Sequence, residues 1–209
     1  MGFLKKSRIF YAAICLCILS VSILSGCGAS KSDAADYVKS LLDARYFFEF
    51  EDYARLQNYC PEELEKEQDG KLEAYIWMNA YDRENILDEI YAYTDMLKKI
   101  YRLARYEILG AEKVGRGQFV VSVQIEPADF LNRFQKNRPI LVQRLVAFGV
   151  NPSTATVSKP YLEWCETLIG ETTYGDPVTV KVTVTKKTFG RYKLSDSDSI
   201  KLDNAIFPP

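Results

Sequence analysis

The stretch PVTVKVTVTKK, residues 177–187, decides the fold because valine occupies every second position in it. Successive side chains of a β-strand point to opposite faces, so this spacing predicts a strand with one buried and one wet face. The buried face comprises Val178, Val180, Val182 and Val184, and the wet face Thr179, Lys181, Thr183 and Thr185. The following FGRYKL, residues 189–194, supplies a turn and a return strand that ends near Leu194. We therefore predict a β-hairpin here.

A second hairpin is predicted upstream of the first. In FVVSVQI, residues 119–125, every second side chain is apolar again, which places Phe119, Val121, Val123 and Ile125 on one face. The GRG at 115–117 is typical of a turn, and YEILGAEKV, residues 106–114, forms the partner strand. The two hairpins together predict an antiparallel sheet.

The chain before the hairpins has helical periodicity. Ser32 or Asp33 can cap a first helix, which continues after a bend into FFEFEDYARLQNY, residues 47–59. Pro61 followed by glutamates favours a new helix start, because proline fits the first turn and acids suit the positive end of the helix dipole. A strongly amphipathic helix then starts near Asp82 and runs to about Ala104.

The segment between the hairpins is predicted to be a helical insertion. Residues 128–149, ADFLNRFQKNRPILVQRLVAFG, form a helix that Pro139 should kink or split and that Gly149 should end. Residues 158–170, SKPYLEWCETLIG, form a shorter helix between Ser158 and Gly170. The fold class is therefore α+β: N-terminal helices packed on an antiparallel sheet of two hairpins, with a helical insertion between them.

The N-terminal leader indicates where the protein is located. The basic MGFLKKSR, residues 1–8, precedes an apolar stretch of 16 residues, Ile9–Leu24. A membrane-spanning helix needs about 20 apolar residues, so a signal peptide is the better interpretation. Leu24-Ser25-Gly26-Cys27 resembles the lipobox of bacterial lipoproteins, in which the cysteine receives a diacylglycerol whose fatty acids include palmitate. The alternative is an uncleaved N-terminal anchor with an incidental cysteine.

Three segments follow from this interpretation. Residues 1–26 are a lipoprotein signal peptide, residues 27–32 are the lipidated Cys27 with a short polar tether, and residues 33–209 are one α+β domain. Two or more acyl chains hold a protein stably at a bilayer, so the domain would lie on the extracytoplasmic face of the cell membrane without spanning it.

Composition excludes several classes of function. The chain contains no histidine, which removes the Ser-His-Asp and Cys-His hydrolases and most catalytic zinc sites. Loss of Lys5, Lys6 and Arg8 with the leader changes the formal charge from −1 to −4. A mildly acidic domain without a run of Lys or Arg argues against nucleic acid as a partner. No cofactor and no metal is predicted.

The cysteine count leaves two alternatives open. Cys15 and Cys17 leave with the signal and Cys27 is lipidated, so Cys60 and Cys165 remain in a compartment that permits disulfides. The two thiols could pair with each other, or both could be unpaired.

Two sets of side chains are candidates for binding or catalysis. Aromatic residues that could line a ligand cleft are Tyr75, Trp77, Tyr81, Tyr91, Tyr93 and Tyr101, although rings packed in the core would give the same pattern. Carboxylates that could act as an acid and base pair are Glu84, Asp88, Glu89, Asp95, Glu163 and Glu166, although solvated helix faces would also carry them. The run from Asp196 to Ser199 is interpreted as a polar turn rather than a calcium loop.

The start of the domain resembles small lipoproteins of Gram-positive bacteria. In these proteins the anchor is followed by A-x-x-Y-V-x-x-x-L-D, here Ala34, Tyr37, Val38, Leu42 and Asp43, then by an aromatic and acidic helix pair and a late Thr/Val hairpin. Some of them look like the cone-shaped nuclear-transport-factor-2-like domains, from which the helical insertion departs. The resemblance implies no catalytic residue.

These observations predict a membrane-anchored extracytoplasmic lipoprotein whose domain binds or interacts and does not catalyse. The partner would be an envelope protein or a small ligand. A small-molecule carrier or sensor with a tyrosine-rich cleft is one alternative, and a carboxylate-based envelope hydrolase is another. A closed apolar pocket would favour the carrier, and convergent carboxylates in a groove would favour the hydrolase.

Overall fold

A computed structural model of the chain describes residues 30–79, 87–149, 151 and 159–209. Its strands are β1 (Tyr106–Gly115), β2 (Gln118–Ile125), β3 (Val178–Lys186) and β4 (Tyr192–Leu194). They form one antiparallel sheet in the order β1-β2-β3-β4. Both predicted hairpins are therefore confirmed, and β2 pairs with β3 to join them.

Seven α-helices are described in the same part of the chain. Those before the sheet are α1 (Lys31–Leu42), α2 (Glu51–Gln57), α3 (Pro61–Asn79) and α4 (Leu87–Tyr101). The insertion consists of α5 (Phe130–Ala147) and α6 (Lys159–Glu171), and α7 (Asp196–Ile206) follows β4. A π-helical turn, Asp43–Phe47, extends α1, and a short 3-10 helix, Thr188–Gly190, connects β3 to β4. The predicted α+β class with a helical insertion is confirmed.

The predicted alternation in β2 and β3 forms the main core. Phe119, Val121, Val123 and Ile125 of β2 are fully buried, while the residues between them are more exposed. In β3, Val182 and Val184 are buried beside them. Helix α1 packs on β1 and β2, and α7 packs on β3. The N-terminal helices thus cover the sheet as expected.

The free edge of β4 is closed by side chains from the N-terminal helices. Gln57 accepts a hydrogen bond from the amide of Tyr192 at 3.2 Å and donates one to its carbonyl at 2.8 Å. The hydroxyl of Tyr37 accepts a hydrogen bond from the amide of Leu194 at 3.2 Å. An edge strand with unpaired backbone groups invites pairing with another chain, so these contacts protect β4.

A second apolar cluster lies among α4, α5 and α6. Its buried members are Ile90, Tyr93, Met96, Phe130, Leu141, Leu145, Trp164, Cys165 and Leu168. Only Leu141 and Leu145 come from the C-terminal half of α5, because the other side chains there are exposed. The C-terminal half of α5 is thus held to this cluster by one narrow stripe.

Several predicted boundaries differ from the structure. Helix α1 begins at Lys31, before the predicted caps Ser32 and Asp33. Helix α5 is not split at Pro139. Proline has no N–H to donate to the carbonyl four residues earlier, but Pro139 is exposed, so water can donate to that carbonyl instead. Gly149 follows α5 with a φ of 72°, as predicted, whereas Gly170 lies inside the last turn of α6. The predicted starts at Asp82 and Ser158 lie outside the described residues.

The terminal helix α7 was not predicted. The segment from Asp196 to Ser199 is its first turn, and the predicted polar turn is wrong. Ser195 caps the helix by accepting a hydrogen bond from the amide of Asp198 at 3.1 Å. Asp198 is buried and accepts hydrogen bonds from Lys201 and from the amide of Thr183, which lies beyond the end of β4. The Asp198 carboxylate therefore attaches α7 to β3.

None of the helices in the described ranges has the length and apolar character needed to cross a membrane.

Replacing Asp198 with asparagine should lower the free energy of unfolding by about 2 kcal/mol at neutral pH, because charge-assisted hydrogen bonds are lost. Burial opposes ionisation, but Lys201 and Thr183 outweigh it and lower the pKa of Asp198. The stabilisation is therefore present above the unfolded-state pKa of about 3.9 and disappears as the pH falls through the lower native value. Urea unfolding of both proteins across this pH range measures the difference.

The matched control is Asp196→Asn, two residues earlier in the same first turn of α7 and exposed to solvent. We expect it to change stability by less than about 0.5 kcal/mol. Equal losses for the two variants would contradict the role assigned to Asp198.

Candidate binding site

A widened helical turn organises the N-terminal part of the domain. Residues Asp43–Phe47 continue α1 as a π-helix, which ends where Phe48 adopts a left-handed conformation with a φ of 63°. Short π-helical turns are rare and are frequent at functional sites. Here the turn presents an acid, a guanidinium and two aromatic rings to different parts of the domain.

Asp43 is bound on the side of the turn that faces β1. Its carboxylate is buried and accepts hydrogen bonds from the hydroxyl of Tyr106 at 2.7 Å and from the ammonium of Lys39 at 2.6 Å. Burial and the adjacent Asp43 raise the pKa of Tyr106 well above its usual value, so its hydroxyl remains a donor. Both oxygens of Asp43 are therefore committed to the fold.

Arg45 connects the turn to α7. Its guanidinium donates to Ser199 Oγ at 2.8 Å and to Asp203 Oδ1 at 2.7 Å, and Tyr46 donates its hydroxyl to the same oxygen at 2.5 Å. Burial acts against the charge of Arg45, but Asp203 outweighs it and the pKa of Arg45 is raised. The turn thus holds a fixed positive charge.

Two surface grooves meet at Arg45. The first groove, of about 530 Å³, lies among α1, α2 and α3 and is lined by Leu41, Ala44, Arg45, Phe50, Tyr53, Tyr59, Glu63, Leu64, Glu67, Gln68 and Lys71. The second, of about 380 Å³, is lined by Arg45, Tyr46, Gln68, Tyr101, Leu131, Asp203, Asn204 and Phe207. Arg45 and Gln68 belong to both linings. We call the first of these the α1–α3 groove.

The α1–α3 groove combines apolar surface with charges of both signs. Tyr59 is 47% exposed, and the guanidinium of Arg191 lies 5.0 Å from the centre of its ring. Lys71 contacts Glu67 at 2.7 Å and lowers the pKa of that glutamate. Exposed aromatic rings beside charged groups are typical of protein interaction surfaces. The groove therefore has the features of a candidate binding surface.

Three of the carboxylates predicted as a possible acid and base pair lie in the described part of the chain. Asp95, Glu163 and Glu166 are exposed on helix surfaces, where Glu163 contacts Lys159 at 3.7 Å and Glu166 contacts Lys99 at 2.6 Å. The side chains of Glu84, Asp88 and Glu89 lie outside the described residues. Nor does any group of three acids or cysteines within the described residues form a potential metal site.

The predicted aromatic set does not form a single cleft where it is described. Tyr91 is 61% exposed, Tyr93 is buried in the α4–α6 cluster near Tyr161, and Tyr101 packs against Tyr46 and Phe48. They separate because they occupy different faces of α4. Tyr81 and the side chains of Tyr75 and Trp77 lie outside the described residues.

Cys60 and Cys165 are free thiols in the structure, which is one of the two predicted alternatives. Cys60 is exposed before α3 and donates to Glu62 Oε2 at 2.7 Å. Cys165 is fully buried in the α4–α6 cluster, and burial raises the pKa of its thiol to about 12. The lipidation site predicted at Cys27 lies outside the described residues.

The sequence patterns did not single out Arg45, Tyr59 or Glu67, which line the groove. One available signal was the polar content of DARYF, residues 43–47, directly after a regular amphipathic helix. Ser199 and Asp203, the partners of Arg45, lie on α7, which was not predicted.

Comparison with known proteins gives one similarity, and it concerns the fold. No protein-family model matches the chain, and no curated protein matches it either. The chain is similar to a crystal structure from Bacillus subtilis subsp. subtilis str. 168 described as "a putative lipoprotein (ycdA)". The TM-score is 0.60 at 11% sequence identity, over 85% of this chain and 56% of the other. The chain thus spans little more than half the length of that structure, and the two share an α+β fold.

Proposed function

We propose that the protein is a lipid-anchored extracytoplasmic binding domain without enzymatic activity. The anchor is supported by Leu24-Ser25-Gly26-Cys27 at the end of the apolar leader. Helix α1 begins at Lys31, so only residues 28–30 would separate a lipidated Cys27 from the folded domain. The description of the Bacillus subtilis structure as a lipoprotein agrees with this proposal.

The α1–α3 groove is the observation that carries the binding role. It offers Tyr59 as an exposed anchor, Arg45 as a fixed cation and Glu63 as an exposed acid within one concave surface. A polypeptide segment satisfies such a lining well, because its side chains and termini present both charges and apolar groups. We therefore favour an envelope protein as the partner.

Two observations support the proposal that the protein has no enzymatic activity: its composition, and the hydrogen bonds that its buried carboxylates accept. The chain has no histidine. Both oxygens of Asp43 and both oxygens of Asp198 accept hydrogen bonds that hold elements together, so these carboxylates are not available to a substrate. A carrier role with a tyrosine-rich cleft has less support, because the three described tyrosines of that set lie apart.

Replacing Cys27 with serine should abolish labelling of the full-length chain by a radioactive fatty acid in a bacterial host. Serine lacks the thiol to which the diacylglycerol is attached, while the domain from Lys31 onward is unaffected. Cys60→Ser is the matched control, because it removes an exposed thiol of the domain, and its labelling should equal that of the wild type. Normal labelling of Cys27→Ser would refute the anchor.

A photoreactive phenylalanine analogue at position 59 should cross-link the domain to a partner polypeptide in living cells. The same analogue at position 91 is the control, because Tyr91 is exposed on α4 and is not part of the groove lining. We expect an adduct of defined mass from position 59 alone. Equal adducts from both positions, or none from position 59, would contradict a binding role for the groove.

A further inference from the structure

The C-terminal half of α5 exposes an unusual amount of apolar surface. Ile140 is 50% exposed, Val142 38%, Val146 60% and Phe148, directly after the helix, 71%. Leu141 and Leu145 alone turn inward from this half. Most exposed positions of a helix on a soluble domain are polar, so packing against the described residues does not explain these side chains. We call the surface formed by these four residues and the neighbouring Lys136, Arg138 and Arg144 the α5 face.

The charge of α5 is opposite to that of the rest of the mature chain. Residues 130–149 contain Arg133, Lys136, Arg138 and Arg144 and no acid, a formal charge of +4. The predicted mature chain carries −4, so the remainder carries −8. Positive charge is thus concentrated on the same helix that exposes apolar residues.

Three of these cations are available to an external partner. Arg133 contacts Asp129 at 2.7 Å and Glu171 at 3.9 Å. Lys136, Arg138 and Arg144 are exposed and form no ion pair with the described residues. Around the helix, Arg138 and Arg144 lie on either side of the arc that contains Val142, Val146 and Ile140. The cations therefore border the apolar residues.

We propose that the α5 face docks on an anionic lipid bilayer. Helices that lie in a membrane interface combine exposed apolar side chains with Lys and Arg, which contact acidic headgroups while the apolar groups enter the acyl boundary. Val146 and Phe148 would enter the boundary, and Lys136, Arg138 and Arg144 would contact the phosphates. The charge complementarity selects a bilayer with acidic lipids over a neutral one.

This docking goes beyond the proposed function and does not depend on it. A lipid anchor would keep the domain at a high effective concentration near the surface, so that even a weak interaction would orient the domain. Docking would then set which part of the domain faces away from the membrane.

The test measures the environment of position 146 in the full-length protein. Val146→Cys is made in a chain in which Cys15, Cys17, Cys27 and Cys60 are replaced by serine, so that labelling does not depend on the anchor. The protein is labelled with an environment-sensitive fluorophore and reconstituted into protein-free phosphatidylcholine vesicles, with or without phosphatidylglycerol. We expect a blue shift of the emission only with phosphatidylglycerol, and its loss at high salt. Tyr91→Cys in the same background, labelled at an exposed position of α4, should show no shift.

A charge variant separates lipid docking from other occupants. Arg138→Gln together with Arg144→Gln should abolish the shift at position 146 while leaving the circular dichroism spectrum unchanged, because both side chains are exposed. Identical emission in the two vesicle types would overturn the proposal. So would a shift that depends only on protein density, which would indicate a second copy, or one seen only in native membranes, which would indicate a protein partner.

The vesicle experiment and the test of the lipid anchor give independent results. Fatty-acid labelling of Cys27 reports the anchor, while the comparison between vesicle types reports docking of α5. Failure of one therefore leaves the other to be judged by its own measurement.

Discussion

The rest of the structure depends on burying one apolar face of the sheet. Six side chains of β2 and β3 on this face are almost completely removed from water: Phe119, Val121, Val123, Ile125, Val182 and Val184. A single apolar face on a short sheet needs a cover, which α1 and α7 provide. Polar side chains bond the backbone groups that the sheet leaves unpaired. Gln57 and Tyr37 do so at the free edge of β4. Asp198 does so at Thr183 of β3, which the three-residue β4 is too short to reach.

The need to cover the apolar face of the sheet with α1 and α7 also explains the position of the candidate binding site. Helix α7 reaches the π-helical turn after α1, where Asp203 contacts Arg45 and Tyr46. Two ends of the chain more than 150 positions apart are thereby joined at one point. Arg45 lines the α1–α3 groove, so the position of this side of the groove is set by α7, one of the helices that cover the sheet.

The sequence predicted the elements better than the site, for a physical reason. The strand in 177–187 and the helix start at Pro61 are local signals, and both are confirmed. The predicted buried face of the strand holds at Val182 and Val184, but Val178 is 42% exposed. Helix α7 was missed because its charged first turn resembles a loop, although Ser195 three positions before Asp198 is a helix cap. Groove residues could not be found from periodicity, because Arg45 acquires its role only from Asp203. Patterns show which face is apolar, but not which distant polar groups meet.

Native mass spectrometry of the full-length protein, extracted in mild detergent from membranes of its own host, tests the central claim most directly. We expect a chain that begins at Cys27, carries the added mass of a diacylglycerol and co-migrates with a polypeptide. Replacing the groove residues Tyr59 and Glu63 with alanine and lysine should remove that polypeptide and leave the lipid mass in place. A chain that retains residues 1–26 without added lipid would contradict the anchor, and a bound polypeptide that the groove variant retains would contradict the binding site.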